Sequence, residues 1–258
     1  MFFVTTFNKK GYNLYAKNMI KSFLEFSSIP IKIYYEDIKP DFKDNRIEYI
    51  NIFDSSPELV EFIGRNRYKR VSNFKFDGIR FSYKVFSIAH AGLNSKDNWM
   101  FWVDADTLFR KKVDPNILFN KMRECSNRSE EEINNSYLAC FMRRAKKKNN
   151  GAIIPTWTEC GFVGYNLSKD SCIHFIKDFK NRYVKDYIYK EKQQHDSWIF
   201  DVVRSKMSRI YSEKAINLNP KNYTHPIVMT KMGELFDHLK GNGRKIKGYS
   251  PEAKGNDI

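Results

Sequence analysis

The sequence lacks the features that mark several large classes of protein. No stretch approaches the roughly 18 consecutive apolar residues of a membrane-spanning helix, and the amino terminus has no basic region followed by a long apolar one, so we expect no signal peptide. The four cysteines form no Cys-x-x-Cys pair, which argues against a zinc knuckle. Without an export signal we expect a soluble, cytoplasmic protein with reduced thiols. No glycine-rich fingerprint follows the first predicted strand, which disfavours a dinucleotide-dependent enzyme.

The composition favours one globular α/β domain that binds something negatively charged. The chain has 258 residues, of which 41% are hydrophobic and 16% aromatic, enough for a sizeable core. Its formal net charge of +15 would attract nucleic acid, an anionic membrane or phosphorylated substrates. The densest basic run, residues 143–148, is predicted to be a solvated loop. The alternative is a loop that closes over an anionic substrate.

Apolar periodicity predicts a mostly parallel sheet flanked by helices. Residues 1–6 and 31–35 have the pattern of strands, and residues 12–26 carry a helical apolar stripe between them. Strand, helix and strand in this order form a right-handed parallel crossover. Further along, we expect a helix over residues 77–91, a polar surface loop over residues 126–136, and a final helix over residues 227–239 followed by a glycine-rich basic tail.

The most informative stretch is the run from Trp99 to Phe109. Five apolar residues lead without interruption into Asp104 and Asp106, which are separated by one residue. Such a run predicts a strand buried on both faces, and strands of this kind present ligand-binding groups at their carboxyl ends. Two adjacent carboxylates repel each other unless a cation lies between them, so Mg²⁺ or Mn²⁺ is the expected guest. The simpler interpretation is a strand-end turn with local Asp hydrogen bonds.

Other candidate side chains lie far from this pair in the sequence. In the tail, His238 is a potential metal ligand, and Lys240, Gly241 and Lys245 suit a diphosphate; the alternative is a frayed basic terminus with His238 at a helix end. Two acidic residues in polar settings beside aromatic residues or glycine could act as base, nucleophile or acceptor of a sugar hydroxyl, or could be only a loop acid and a helix cap. They are Glu159 and Asp196.

Taken together, these motifs resemble the nucleotide-sugar-dependent glycosyltransferases of the GT-A fold. The buried strand ending Asp-Ala-Asp, the later Glu-x-Gly-Phe from Glu159 and the terminal His-x-x-Gly from His238 are similar to signatures of the retaining, glycogenin- and galactosyltransferase-like branch. The final lysine stands one residue further on than in its His-x-x-Gly-x-x-Lys motif. The resemblance implies one domain, with a nucleotide-binding half over residues 1–106 and an acceptor and catalytic half over residues 107–258 that ends in a diphosphate-binding tail.

The resemblance also implies roles for individual residues. Asp104, Asp106 and His238 would bind Mn²⁺ or Mg²⁺, while Gly241 and the tail lysines would hold the diphosphate. The stretch Gln-His-Asp ending at Asp196 is similar to an Asp-Gln-Asp stretch near the transferred sugar. Positions implied to meet the nucleotide base follow the first strand, and two more on a later helix would approach the ribose and the diphosphate; they are Thr5, Thr6, Phe7 and Tyr12, and then Arg80 and Lys84.

The sequence thus predicts a metal-dependent glycosyltransferase. It would move a sugar, with a hexose favoured, from a nucleoside-diphosphate donor, with UDP favoured, to a hydroxyl of a glycan, glycolipid or protein-linked acceptor. An inverting enzyme would need a carboxylate base and a retaining one would not, and the sequence leaves both open. The alternatives are a metal-dependent nucleotidyltransferase and a basic nucleic-acid-binding protein, although no basic recognition helix or stacking motif supports the second. Peripheral contact with an anionic membrane also fits the charge.

Overall fold

The computed structural model describes residues 1–144, 146–147, 153–154 and 157–256. Its strands are β1 (Phe2–Phe7), β2 (Ile31–Tyr35), β3 (Ile47–Asn51), β4 (Trp99–Val103), β5 (Thr107–Phe109), β6 (Leu138–Phe141), β7 (Lys146–Lys147), β8 (Ile153–Ile154), β9 (Glu159–Asn166), β10 (Ala215–Asn217) and β11 (Phe236–His238). Its α-helices are α1 (Lys9–Gly11), α2 (Lys17–Phe26), α3 (Ile52–Ser55), α4 (Pro57–Asn66), α5 (Gly78–Leu93), α6 (Pro115–Ser126), α7 (Glu130–Asn134), α8 (Asp170–Val184), α9 (Asp196–Ile210), α10 (Pro226–Met229) and α11 (Asn242–Lys247). A π-helical segment joins α1 to α2, and short 3₁₀ turns cover Arg67–Lys69, Phe74–Phe76, Tyr187–Lys190, Lys231–Glu234 and Pro251–Asn256.

Seven strands form the central sheet in the order β10-β6-β9-β4-β1-β2-β3. Every neighbouring pair is parallel except the two that involve β9, which runs against β4 and β6. The predicted α/β architecture with a mostly parallel sheet is therefore confirmed. Because β9 is reversed, its first residues lie at the same edge of the sheet as the last residues of β4, and Val103 pairs with Phe162 there.

Strand β4 is buried on both faces, as its uninterrupted apolar run predicts. Alternate side chains enter two separate hydrophobic cores. Met100 and Trp102 join the core beneath α5, α8 and α9, whereas Phe101 and Val103 join the core beneath α2 and α6. The strand is thereby fixed in register, because a slip of one residue would exchange all of its contacts. The two carboxylates that follow it are held in place by the same packing.

Two sequence predictions about secondary structure were wrong. The polar stretch over residues 126–136 contains α7, whose start is a capping box in which Ser129 and Glu132 satisfy each other's backbone N–H groups. The apolar residues after Pro226 form no single helix. They form α10, a 3₁₀ turn and β11, and the hydrogen bonds of β11 go to β5 instead of to a helical turn. No helix in the described ranges is long and apolar enough to cross a bilayer.

Strands β5 and β11 form a small antiparallel ribbon beside the main sheet. In this ribbon Thr107 is paired with His238 and Phe109 with Phe236. The backbone N–H of Leu239 donates to the carbonyl of Asp106 at 2.9 Å and extends the pairing by one step. The ribbon therefore brings a residue from late in the chain directly against the residues that follow β4.

Candidate metal and nucleotide site

Three potential metal ligands meet where β4 ends and β11 ends. One oxygen each of Asp104 and Asp106 and a ring nitrogen of His238 lie within 4.8 Å of one another. Nε2 of His238 is 3.3 Å from Oδ1 of Asp106 and 3.7 Å from Oδ2 of Asp104. The structure thus brings together residues that the sequence separates by more than 130 positions. It also places His238 at the end of a strand, in contrast to the expected helix end.

Each carboxylate divides its two oxygens between protein cations and this cluster. Oδ1 of Asp104 accepts from Nζ of Lys84 at 3.0 Å and from the indole N–H of Trp102 at 2.7 Å. Oδ2 of Asp106 lies 2.7 Å from Nζ of Lys245. The other two oxygens face Nε2 of His238. Oδ1 of Asp106 is buried and accepts no hydrogen bond within the described part of the chain.

The ring of His238 is held by a close approach of β9. A Cβ atom on Gly161 would lie 2.6 Å from Cε1 and 3.0 Å from Nδ1 of that ring, so only glycine leaves room for it. The carbonyl of Gly161 in turn accepts from the backbone N–H of Asp104 at 2.8 Å. From the other side, the hydroxyl of Ser250 donates to the carbonyl of His238 at 3.1 Å. The histidine is therefore fixed between β9 and the turn that follows α11.

The charges in this cluster reinforce one another. Burial alone would raise the pKa of Asp106, but His238 and Lys245 outweigh it and hold that pKa well below its usual range. Burial alone would lower the pKa of His238, but Asp106, Glu159 and Asp104 raise it above its ordinary value. At neutral pH the Asp106 carboxylate is therefore ionised, and the imidazole of His238 is surrounded by carboxylates that favour its protonated form.

A cleft of about 680 Å³ opens beside the cluster. Among the residues that line it are several that the sequence predicted for nucleotide binding or metal binding, namely Thr6, Phe7, Arg80, Lys84, Asp104, Asp106 and Lys245. Thr5 and Tyr12, which we expected to meet the nucleotide base, are not among them. Thr5 is fully buried, and the ring of Tyr12 packs against Phe7 at a centroid distance of 5.8 Å. The glycine Gly241 also lies outside this lining, with a left-handed φ of +86° just before α11.

Glu159 lies at the start of β9 between two cations. Its Oε2 is paired with the guanidinium of Arg143 and with Nζ of Lys240. Burial would raise the pKa of Glu159, but Lys240, His238 and Arg143 lower it to about 2. The basic run over residues 143–148 contributes Arg143 to this contact; the remainder of that run falls partly outside the described residues. Glu159 is thus a buried, ionised carboxylate that holds two cations in place, Lys240 of the tail and Arg143 of the basic run.

Asp196 reaches the same site through Lys84. Nζ of this lysine lies 2.8 Å from Oδ2 of Asp196 and also donates to the carbonyl of Cys160 at 2.6 Å. Burial would lower the pKa of Lys84, but Asp104 and Asp196 raise it well above its usual range. The cap of α9 is neither Asp196 nor Ser197, because Nδ1 of His195 accepts from the backbone N–H at the third position. Asp196 is therefore free of a capping role.

The donor set at the cluster suits a divalent cation. Carboxylate oxygens are typical ligands of hard divalent cations, and an imidazole nitrogen is a typical ligand of transition-metal ions. The buried Asp106 oxygen without a hydrogen-bond donor would gain a partner, which removes an otherwise costly desolvated group. These residues therefore fit a metal ion, with Lys84 and Lys245 holding the carboxylate oxygens on the opposite side.

Three solved structures that are similar to this chain are structures of glycosyltransferases. The alignment with an active-site mutant of LgtC covers 100% of this chain and 100% of the LgtC chain, with a TM-score of 0.53 and 14% sequence identity. The galactosyltransferase LgtC in complex with donor and acceptor sugar analogs covers 99% and 100%, with a TM-score of 0.47 and 12% identity. Apo mouse xyloside xylosyltransferase 1 covers 84% of both chains, with a TM-score of 0.48 and 10% identity. The first of these similarities confirms the GT-A fold class.

No protein-family model matches the sequence, and the comparison with curated proteins gives no match.

The sequence does not predict the roles of three residues of the site. The sequence pattern predicts Trp102 only as a core residue, whereas in the structure its indole N–H donates to Asp104. Tyr15, on the π-helical segment, lies with its ring 4.6 Å from Nζ of Lys245. Gly161 lies in the Glu-x-Gly-Phe motif, but the side chain that requires a glycine there, that of His238, lies 77 residues away in the sequence.

Proposed function

We propose that the protein is a metal-dependent glycosyltransferase that uses a nucleoside-diphosphate sugar, with a UDP-hexose favoured. The observation that carries this proposal is the convergence of Asp104, Asp106 and His238 at the carboxyl end of β4. In a sheet of this topology, ligands bind at the carboxyl ends of the strands. The adjoining cleft carries Arg80, Lys84 and Lys245, which supports a donor with two negatively charged phosphates.

The protein's own residues would bind and orient the donor. Lys245 on α11 and Arg80 on α5 face the same cleft and would neutralise the diphosphate. Lys240 lies one residue before the left-handed Gly241, and Glu159 holds its ammonium group at the edge of the cluster. A bound metal ion would supply further stabilisation of the charge that develops on the departing nucleoside diphosphate. We assign the nucleotide half to residues 1–106 and the acceptor half to residues 107–258.

The environments of the two candidate carboxylates support different roles. A carboxylate with a pKa of about 2 is a weak base near neutral pH, so Glu159 would position Lys240 and Arg143 and would not take a proton. Among the residues that the structure describes, Lys84 is the cation paired with Asp196, which also lies beside an aromatic cluster. We therefore place Asp196 on the side of the transferred sugar, as either nucleophile, base or hydroxyl acceptor.

An aromatic cluster next to Asp196 supports a saccharide acceptor. The ring of Trp157 lies 4.7 Å from that of His195 and 6.4 Å from that of Trp198. Both tryptophans line a groove of about 530 Å³ along the outer face of α9. The flat face of a tryptophan ring is apolar and its edge carries a polar N–H group. A sugar ring can pack against such a face. The acceptor would approach from this side and the donor from the cleft.

The test is a thermal-shift screen with UDP, GDP, CDP and TDP, each with and without Mn²⁺. A ligand that binds only the folded state raises the midpoint of unfolding. We expect one nucleoside diphosphate to stabilise the wild type only when Mn²⁺ is present. The variant Asp106→Asn keeps the size of the side chain and should lose that metal-dependent shift. The matched control is Asp170→Asn, an exposed acid in the first turn of α8 with no ion pair among the described residues.

The outcome that contradicts the proposal is equally specific. If none of the four nucleotides gives a metal-dependent shift, the assignment of Asp104 and Asp106 is wrong. If Asp170→Asn loses the shift as well, the effect is one of general stability and does not identify the site. If one nucleoside diphosphate stabilises the protein, a second assay measures its release from the corresponding nucleotide sugar by the wild type and by Asp106→Asn. This assay distinguishes a transferase from a protein that only binds nucleotides.

A further inference from the structure

The segment between α4 and α5 presents aromatic side chains to solvent. It runs from Arg67 to Phe76 and contains four basic residues and no acidic one. Tyr68 is 84% exposed, and three further apolar side chains on the same segment are 43–46% exposed, namely Val71, Phe74 and Phe76. Single exposed apolar residues are ordinary, but four within nine positions form a patch that requires an explanation.

A second segment lies directly beside the first. Nζ of Lys69 is 4.0 Å from the ring centroid of Tyr189, and the backbone N–H of Gln194 donates to the carbonyl of Lys75 at 2.7 Å. Tyr187, at the start of this second segment, is 46% exposed, with Nζ of Lys190 at 5.2 Å from its ring. Residues 67–76 and 187–192 together are called the basic aromatic surface below.

The positive charges of this surface are largely uncompensated. Arg70 pairs with Asp77 at 3.6 Å, whereas Arg67, Lys69, Lys75, Lys190 and Lys192 have no ion pair with any residue that the structure describes. The acidic residue of the second segment, Glu191, is itself paired with Arg182 of α8 at 2.7 Å. The surface therefore combines exposed aromatic rings with a net positive charge.

We infer that the basic aromatic surface docks the protein on an anionic lipid bilayer. Tyrosine and phenylalanine side chains are favourable at the boundary between headgroups and acyl chains, and lysine and arginine are attracted to anionic headgroups. The surface also exposes Val71, an aliphatic side chain that fits the boundary of a bilayer but offers no aromatic face for stacking on a nucleic-acid base. Lipid binding is thus favoured over nucleic-acid binding.

The basic aromatic surface borders the cleft. Arg70, Val71 and Ser72 belong to the basic aromatic surface and also line the cleft beside Asp104. A bilayer in contact with this surface would therefore lie at the edge of the cleft. This inference goes beyond the proposed function, because lipid binding requires no sugar transfer and can be measured without any nucleotide.

The test is co-sedimentation of the full chain with vesicles. One set contains only phosphatidylcholine, and the other contains equal parts of phosphatidylcholine and phosphatidylglycerol. We expect binding to the anionic set alone, weakened by added salt. The double variant Arg67→Gln with Tyr68→Ser should bind at least about tenfold more weakly, because one interfacial cation alone accounts for about fivefold and an aromatic ring adds to it.

The control removes an arginine and an exposed apolar side chain elsewhere. Arg209→Gln with Ile210→Ser lies at the exposed end of α9, about 20 Å along the helix from its first residue. Tyr68 is 84% exposed and Ile210 is 58% exposed, so neither double variant should alter the thermal unfolding midpoint. Equal losses in both variants, or no binding of the wild type to anionic vesicles, would overturn the inference. So would tight binding of an oligonucleotide that depends on Arg67 and Tyr68 in the absence of vesicle binding.

Discussion

Replacing Gly161 with alanine should displace the ring of His238 and weaken metal binding. The new Cβ would lie 2.6 Å from Cε1 of the ring, and ordinary van der Waals contact begins only at 3.4 Å. On another side the same Cβ would meet Cδ1 of Ile227 at 3.0 Å. With the backbone in place the ring must move by about 0.8 Å, and this part of β9 is held by β4, because Val103 pairs with Phe162 and the carbonyl of Gly161 accepts from the backbone N–H of Asp104.

This displacement is large on the scale of metal coordination. Ligand distances in a metal site are held to within about 0.2 Å, so a shift of about 0.8 Å would remove the imidazole as an effective ligand. Loss of correct ligand orientation lowers metal affinity by roughly 10–100-fold. Overpacking at this position should also cost about 1–3 kcal/mol in the free energy of unfolding. The variant should therefore be folded, slightly less stable, and impaired in binding Mn²⁺.

Isothermal titration with Mn²⁺, with and without the stabilising nucleoside diphosphate, measures the effect. The control is Gly164→Ala on the same strand, where a Cβ would lie 2.9 Å from Cε1 of Phe101. That clash falls in the hydrophobic core, away from the carboxylates. Gly164→Ala should lose stability to a similar or greater extent, whereas its affinity for Mn²⁺, measured well below its unfolding midpoint, should match the wild type.

Either of two results would refute this reasoning. If Gly161→Ala binds Mn²⁺ with the wild-type dissociation constant, the position of His238 does not matter to the metal. If both glycine variants lose affinity equally, the loss reflects general loosening of β9 and says nothing about the histidine.

Three further perturbations have defined outcomes. Lys84→Met removes the cation shared by Asp104 and Asp196 and leaves the buried carboxylate of Asp196 unpaired, so urea unfolding should show a loss of roughly 3–5 kcal/mol; a loss below about 1 kcal/mol would contradict the pairing. Lys245→Ala should weaken binding of the nucleoside diphosphate by roughly 10–100-fold. Binding of Mn²⁺ alone should not weaken, because the variant lacks the ammonium group that competes with the metal ion for Asp106. Burial and the neighbouring Asp37 raise the pKa of Glu36 to about 7, so the folded protein retains a proton that the unfolded chain releases from about pH 4.5. The wild type should lose stability between those pH values, and Glu36→Gln should be more stable than wild type by up to about 3 kcal/mol near pH 8 but not near pH 4; an equal difference at both pH values would contradict this.

The sequence was most informative where local pattern and packing agree. The run Trp99 to Val103 predicts a strand buried on both faces, and the structure places its alternate side chains in two cores. The carboxylates after it follow from the rule that parallel strands present their ligands at their carboxyl ends. The parallel crossover at the amino terminus was predicted for the same reason, because its strand and helix periodicities are distinct.

The sequence was least informative where long-range pairing decides the local structure. The apolar spacing from Ile227 to Leu239 suits a helix, and the strand β11 forms because β5 offers it a partner from far earlier in the chain. The roles of Gly161 and Lys245 depend in the same way on contacts that no local pattern encodes. The capping box of α7 was readable, but its acidic surroundings suggested a solvated loop.

The ribbon of β5 and β11 joins Thr107 to His238, which are 131 positions apart. Closing so long a loop is slow and entropically costly, so such contacts form after local structure is in place. During synthesis, the sheet strands β1 to β4 and the two aspartates can assemble well before the histidine has been made. The emerging chain would therefore carry the two aspartates before His238 can join them, and the proposed metal site would be completed only when this long-range contact forms.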